Sequence, residues 1–233
     1  LGAEGAHRFA AWARAYGNGT LQFTGRQNLQ VRFVPKEKVP ALLAELQAAG
    51  YVTEGFERLP DMVACVGTTQ CNLAVSDTPS AYQRLQRELA IDRDLSEKVG
   101  LLRIHMNGCP NSCAQHWIAD IGLRGMRKEL PTGSEEGFQV CAGGGLEGPG
   151  YIARPVCEVS SLALVPTVRK MLELYVANRT GREETFSQYA RRIGPAKFAE
   201  LLGVPLAVDE PVSTRDQRLQ PVYNQVINET SPW

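Results

Sequence analysis

The sequence lacks an excess of charge of either sign, and it lacks an apolar run as long as a membrane helix. Lys and Arg together number 25, as do Asp and Glu, so the formal net charge is +0. A chain without net charge has no bulk attraction to nucleic acid or to a membrane surface. A membrane helix needs about 20 consecutive apolar residues. We therefore predict neither nucleic acid nor a membrane as a partner.

The start of the chain lacks both a secretion signal and an initiator methionine. Residues 1–16 are charged and rich in alanine, unlike the apolar core of a signal peptide. We therefore predict a cytoplasmic location. Because the chain begins at Leu1, we expect a piece of a longer polypeptide, or a chain whose start has been lost.

The cysteine content is too low for a disulfide scaffold. Six cysteines in 233 residues, without a secretion signal, favour a reducing compartment and metal-bound thiolates. Four of the six form two short pairs, Cys65 with Cys71 and Cys109 with Cys113. Cys141 and Cys157 stand alone and are expected to be small core residues.

Hydrophobic periodicity predicts an α+β chain with two blocks and a tail. Residues 1–59 read as helix, strand, strand and helix, a block too small to bury both faces of its sheet alone. Residues 60–203 form a larger mixed block, and the proline-rich residues 204–233 form an extended tail. The predicted helices are 3–16, 37–49, 80–90, 160–178, 186–193 and 195–202. The predicted strands are 20–24, 28–34, 101–106, 118–123 and 137–141, with Leu29, Val31 and Phe33 on one face.

The two cysteine pairs supply four thiolates, the number that holds a cubane iron–sulfur cluster. Five residues separate Cys65 from Cys71, which lets a loop curl around one side of a cluster. Three residues separate Cys109 from Cys113, about one helical turn, so both sulfurs can face the same way. Tight turns are favoured beside the sulfurs by Gly67, Gly108 and Pro110.

Two other interpretations of these cysteines stay open at this point. Zinc also takes four thiolates, although its paired cysteines are typically separated by about two to four residues. The second alternative is two unrelated pairs of buried free cysteines.

Three stretches of the chain resemble the sirohaem-dependent nitrite and sulfite reductases. They are TGRQNL at 24–29, ACVGTTQCNLA at 64–74, and GCPNSC at 108–113 followed by IADIGL at 118–123. The chain is most similar to the C-terminal of the two repeats in that family. The resemblance implies a ferredoxin-like half-domain over 1–59, followed by an α/β domain over 60–203 that binds sirohaem and a [4Fe–4S] cluster. It also implies a partner, the N-terminal repeat or an equivalent second half.

The resemblance also implies the residues of the cofactor site. The cluster ligands would be Cys65, Cys71, Cys109 and Cys113, and Cys113 would bridge the cluster to the sirohaem iron. Donors toward the carboxylates of sirohaem would be Arg26, Gln27, Asn28, Arg32, Asn111 and Gln115, with backbone N–H groups at Gly143 and Gly144. The groups that hold the substrate anion would come mostly from the other repeat, so no complete catalytic set is assigned here.

The activity implied by the resemblance is the six-electron reduction of nitrite to ammonia, or of sulfite to sulfide. The substrate would be a small inorganic anion, and ferredoxin or a flavoprotein would supply electrons. The sequence around Cys109 resembles the nitrite reductases of this family more than the sulfite reductases. Two alternatives stay open: a cobalamin-pathway oxygenase of the same fold, similar to precorrin-3B synthase, and a non-enzymatic electron-transfer module that carries the cluster. His116 would serve as a proton relay or as a structural histidine.

Overall fold

The computed structural model describes residues 2–24, 28–51, 53, 55–131 and 133–207. The chain divides into two compact units between Gly55 and Phe56, close to the boundary predicted at residue 59. Most of the predicted tail, 204–233, lies outside the described residues. Within the described ranges, no helix is both long and apolar enough to cross a membrane.

The first unit has the predicted order of helix, strand, strand and helix. Its elements are α1 (Ala3–Tyr16), β1 (Leu21–Phe23), β2 (Leu29–Val31), a 3-10 turn (Lys36–Lys38) and α2 (Val39–Ala48). The two strands pair antiparallel, and Phe9, Trp12 and Leu42 form a small core. The prediction that Phe33 shares the apolar face of β2 is wrong. The strand ends at Val31, and Phe33 has a positive φ and is 69% exposed.

The second unit is a five-stranded sheet with helices. Its strands are β3 (Val63–Ala64), β4 (Ile104–Asn107), β5 (Ile121–Leu130), β6 (Gly133–Ala142) and β7 (Arg154–Ser160). Its helices are α3 (Thr78–Leu85), α4 (Arg93–Val99), α5 (Leu164–Asn178), α6 (Phe186–Ile193) and α7 (Pro195–Leu202), and a π-helical turn (Gln86–Ala90) follows α3. The strands lie in sequence order, parallel from β3 to β5 and antiparallel from β5 to β7.

The two faces of this sheet differ in chemistry. Alternate strand residues enter the core of the second unit with side chains from the helices, among them Ile104, Met106, Ile121, Leu123, Phe138 and Val140. The residues between them belong to the opposite face, because side chains alternate along a strand. There, Asn107, Arg124 and Gln139 stand opposite one another on three neighbouring strands. The helices therefore cover an apolar face, and a polar face carries the site.

Both cysteine loops leave the sheet at one edge. Cys65 directly follows β3, and Cys109 lies two residues beyond β4. The two strands are parallel neighbours, with Val63 opposite His105. Because the carboxyl ends of parallel strands meet at the same edge, the sheet brings the two loops together.

Candidate metal centre

Hydrogen bonds to the sulfur of Cys65 hold the first cysteine loop in place. A 3-10 turn at Gly67–Thr69 reverses the chain, and the N–H of Cys71 donates to the carbonyl of Gly67 at 3.0 Å. The Cys65 Sγ accepts two backbone N–H groups, from Gly67 at 3.4 Å and from Gly108 at 3.1 Å. Hydrogen bonds of this kind stabilise a thiolate and tune the potential of a bound cluster.

The two loops touch through glycine backbone. A Cβ on Gly108 would lie 2.8 Å from the carbonyl oxygen of Ser76 and 3.1 Å from the Cα of Gly67. Gly67 has a φ of +54°, and a Cβ there would lie 2.6 Å from the hydroxyl of Thr78. The N–H groups of Val75 and Ser76 donate to the carbonyl of Gly108. A side chain at Gly108 would therefore push the loops apart, and one at Gly67 would clash with Thr78.

The second cysteine loop is tied through its backbone. Cys109 is buried and Cys113 is exposed. The N–H of Ala114, the next residue, donates to the side-chain oxygen of Asn107 at 2.6 Å. The N–H of Gln115 donates to the carbonyl of Ser112 at 2.8 Å. The predicted donors Asn111 and Gln115 are both exposed, so the loop presents polar groups beside an accessible thiol.

A buried acid anchors the chain behind the second loop. Asp120 accepts the backbone N–H and the guanidinium Nε of Arg103, at 2.7 and 3.0 Å. The hydroxyl of Ser187 lies within hydrogen-bond distance of both Asp120 and the carbonyl of Gly144, and its one proton is donated to either acceptor. The carboxylate therefore joins the start of β5 to the segment before β4 and to α6.

The glycines at 143 and 144 are buried. The N–H of Gly143 donates to the carbonyl of Asp120 at 3.0 Å, so that N–H is already engaged within the chain. A Cβ on Gly144 would lie 2.5 Å from the carbonyl oxygen of Ala119. Close packing against this segment explains Gly144, and a φ of +89° explains Gly143. Their contact with a cofactor stays a prediction.

The donors predicted near residue 26 belong to the first unit. Arg26 and Gln27 lie outside the described residues. Asn28 is exposed, and its N–H donates to the hydroxyl of Thr24 at 3.1 Å. Arg32 is exposed and donates to the side chain of Gln22. Their contribution to a sirohaem pocket stays a prediction.

His116 is completely buried, with its Nδ1 3.1 Å from the side-chain nitrogen of Asn107. Burial first, and then the charges of Arg124 and His105, lower the pKa of His116 to about 3. The ring is therefore neutral near pH 7, which favours the structural interpretation over the proton relay. Its Nε2 is buried without a hydrogen-bond partner among the described residues.

The residues present fit an iron–sulfur cluster. Four free thiols lie on two loops in backbone contact, and one of the sulfurs already accepts two N–H groups. Among the described side chains, no three His, Cys, Asp or Glu residues converge to hold a single metal ion. A cubane cluster does not require that convergence, because its four thiolates bind four different irons.

Several residues that organise the site were missed by the sequence interpretation, namely Ser76, Thr78, Asn107 and Asp120. Asn107 directly precedes the conspicuous GCPNSC stretch, which was the available signal. The others act through hydrogen bonds to backbone atoms, and sequence spacing does not report such bonds.

Comparison with known proteins covers both units. Residues 1–49 match the Nitrite/Sulfite reductase ferredoxin-like half domain, and residues 57–209 match the Nitrite and sulphite reductase 4Fe-4S domain. The assimilatory ferredoxin-dependent nitrite reductase of Haloferax mediterranei is 32% identical over 201 residues, which cover 86% of this chain and 34% of that protein. Sulfite reductase (ferredoxin) 2 of Mycolicibacterium paratuberculosis is 34% identical over 188 residues, 77% of this chain and 33% of that protein.

A solved structure from this family is also similar to the chain. The NirA protein of Mycobacterium tuberculosis superposes with a TM-score of 0.63 at 28% identity, over 76% of this chain and 33% of that one. The chain therefore spans about a third of the length of each of these three proteins.

Proposed function

This chain belongs to the nitrite and sulfite reductase family, and from that membership we propose that it is the cofactor-binding half of an enzyme that reduces nitrite to ammonia. Sulfite, reduced to sulfide, is the second candidate substrate, and either reaction consumes six electrons. The family membership supports both predicted cofactors, a [4Fe–4S] cluster and sirohaem. The observation that carries the proposal is the meeting of two cysteine loops at the edge formed by β3 and β4.

Each cysteine has a definable part in this proposal. Cys65, Cys71, Cys109 and Cys113 would hold the cluster, and the exposed Cys113 would also reach the sirohaem iron. The cluster and the sirohaem, when bound, would supply the electrons for the reduction, and Cys113 as a thiolate ligand would increase electron density on the iron. The N–H groups of Gly67 and Gly108 stabilise the negative charge at Cys65. Because burial lowers the pKa of His116, we propose that the protons for the reaction come from other groups or from solvent.

The first unit supports a second half as partner. Phe23 is 78% exposed and Phe33 is 69% exposed, and the sheet of this unit has two strands. Exposed aromatic side chains and unpaired strand edges are features that a partner surface covers. We propose that an N-terminal repeat, or an equivalent chain, covers them. Ferredoxin is the proposed donor, because the similar reductases carry it in their names, and the cytoplasm is the proposed compartment.

The first test is the absorption spectrum of anaerobically purified protein, with iron and sulfide counted. We expect a Soret band, a strong red-region band of the chlorin type, and about four cluster irons plus one haem iron. A cluster spectrum without a Soret band would favour the electron-transfer module or the oxygenase. A colourless protein that contains zinc would overturn the proposal.

Variants sharpen this test. Cys113→Ser is expected to abolish the Soret band and turnover of nitrite, because it removes the proposed bridging thiolate. Cys141→Ser is the matched control, since Cys141 is buried in β6 and is not a proposed ligand. Equal loss of the spectrum in both variants would contradict the assignment of Cys113.

A further inference from the structure

Asn107 and His116 form a buried polar pair beneath the second cysteine loop. Asn107 ends β4 and is 1% exposed, and His116 is 0% exposed. The amide of Asn107 bridges two groups, the N–H of Ala114 at 2.6 Å and the Nδ1 of His116 at 3.1 Å. One side chain therefore connects the end of a strand, the residue after Cys113, and a buried imidazole.

The hydrogen bonds determine where the protons lie. A backbone N–H can only donate, so the Asn107 atom that faces Ala114 is the oxygen, and the atom that faces His116 is the NH2 group. An amide NH2 can only donate, so the Nδ1 of His116 must accept and carries no proton. The neutral ring then carries its proton on Nε2.

We propose that Asn107 and His116 act as a clamp that fixes the backbone behind Cys113 and thereby holds this thiol in position for the cluster. Both are positioning residues, since neither is a proposed ligand. The inference rests on the cluster binding proposed above. The clamp consists of these two side chains and the Ala114 N–H, which donates to Asn107.

The burial of the clamp argues for this role. A buried polar pair adds little net stability over apolar side chains of the same shape, whereas loss of one partner costs about 1–3 kcal/mol. Among the described residues, the Ala114–Asn107 bond joins the loop directly to the end of β4. The side chain of Cys113 is exposed, so its direction depends on the backbone. Groups that orient metal ligands in this indirect way typically change metal affinity by about 10- to 100-fold when altered.

The first measurement is the rate at which the full chain, loaded with its cluster, loses iron to a ferrous chelator under anaerobic conditions. Asn107→Leu removes both hydrogen bonds and is expected to speed iron loss by about 10- to 100-fold. Asn107→Asp is the matched variant, because its carboxylate still accepts the Ala114 N–H. We expect it to stay within a few-fold of the unaltered chain. Equal rates for Asn107→Leu and the unaltered chain would overturn the proposal.

The second measurement is nitrogen NMR of the histidine rings in the cluster-free full chain, with the His116 signals assigned by their loss in His116→Gln. We expect a proton on Nε2 and none on Nδ1 in the unaltered chain. In Asn107→Asp we expect a protonated Nδ1, because a carboxylate can only accept. A protonated Nδ1 in the unaltered chain would refute the clamp even if every variant bound a cluster.

The two measurements separate the failure of the clamp from the failure of the proposed function. If the chain takes up no cluster, the proposed cofactor chemistry fails, yet the ring protons still test the clamp. If Asn107→Leu does not fold, the folded Asn107→Asp variant carries the test, because an unchanged His116 tautomer there would contradict the proposed hydrogen bonds.

Discussion

The two cysteine loops meet at one edge of the sheet but are held in different ways. In the first loop the sulfur itself is held, because Cys65 accepts N–H groups from Gly67 and Gly108. In the second loop the backbone is held through Asn107, and the sulfur of Cys113 stays exposed. The first arrangement stabilises charge on a half-buried thiol that is proposed as a ligand. The second leaves a thiol accessible for a further bond, which suits the ligand proposed to bridge two cofactors.

This difference means that the loops should respond differently to substitution. The first loop depends on close backbone approach, so added volume should damage it most. The second depends on buried polar groups behind it, so a lost hydrogen bond or charge should damage it most. Four predictions test this contrast, in order of expected size.

Loss of the buried acid behind the second loop should have the largest effect. Asp120→Ala leaves the guanidinium of Arg103 without its 3.0 Å partner and the hydroxyl of Ser187 with one acceptor fewer. We expect the free energy of unfolding to fall by about 3–5 kcal/mol, the range for breaking a buried ion pair. Urea denaturation measures it. Asp94→Ala is the control, because it removes the exposed pair with Lys98, and such pairs contribute about 0–1 kcal/mol.

Added volume in the first loop should have the next largest effect. Gly67→Ala combines a left-handed backbone, which costs about 1–2 kcal/mol, with a close contact to Thr78 that costs about 1–3 kcal/mol. We expect a loss of roughly 3 kcal/mol and release of the cluster. Gly203→Ala also has a positive φ, but in open space. A similar loss of stability in both variants would show that backbone conformation, and not the close contact with Thr78, requires Gly67.

A smaller effect is expected from the hydroxyl that supports the first loop. Thr78 is fully buried and donates to the carbonyl of Cys65 at 2.6 Å. Thr78→Val should lower the unfolding free energy by about 1–3 kcal/mol, because the carbonyl loses its donor, and should speed cluster loss. Thr167→Val removes a comparable bond, from hydroxyl to carbonyl, within α5. That control should leave cluster retention unchanged, and a parallel loss in both would argue against a special role for Thr78.

The smallest effect at neutral pH should come from the imidazole beneath the second loop. The pKa of His116 falls from 6.5 to about 3 on folding, so the unfolded chain binds a proton between these values and the folded chain does not. The contribution of His116 to the free energy of unfolding is therefore complete above pH 6.5. It falls by up to about 1.4 kcal/mol per pH unit as the pH falls toward 3. His116→Gln should remove this slope from a pH series of denaturation curves. His7→Gln, on an exposed part of α1, should retain it.

Much of the architecture was predictable from local patterns. The helices 3–16, 186–193 and 195–202 are confirmed to the residue. Each has a clear boundary, such as the Thr185 capping box of α6 or Pro195 at the start of α7. The cysteine spacing predicted a cluster, and the 4Fe-4S domain match supports it.

Two of the missed strands have a tertiary cause. β3 has two residues, which is too short for any periodicity, and it exists because it pairs with β4. β7 was missed, although it pairs along β6, because the apolar run Pro155–Cys157 interrupts its alternation and proline is rare within strands. Asn107 and Asp120 bond to partners whose proximity the sheet creates, so their roles appear only with the fold.

The two-residue strand β3 also bears on the order of events during folding. β5 and β6 follow one another in sequence and pair along ten residues each, so their contacts are local and form early. Pairing of β3 with β4 requires closure of a long chain segment that contains α3 and α4, which costs entropy. In return it forms only two residue pairs. We therefore expect the strand pair that unites the cysteine loops to form late. Iron and sulfide would then be delivered to a half that is already largely folded, and the cluster would not act as the nucleus around which this half folds.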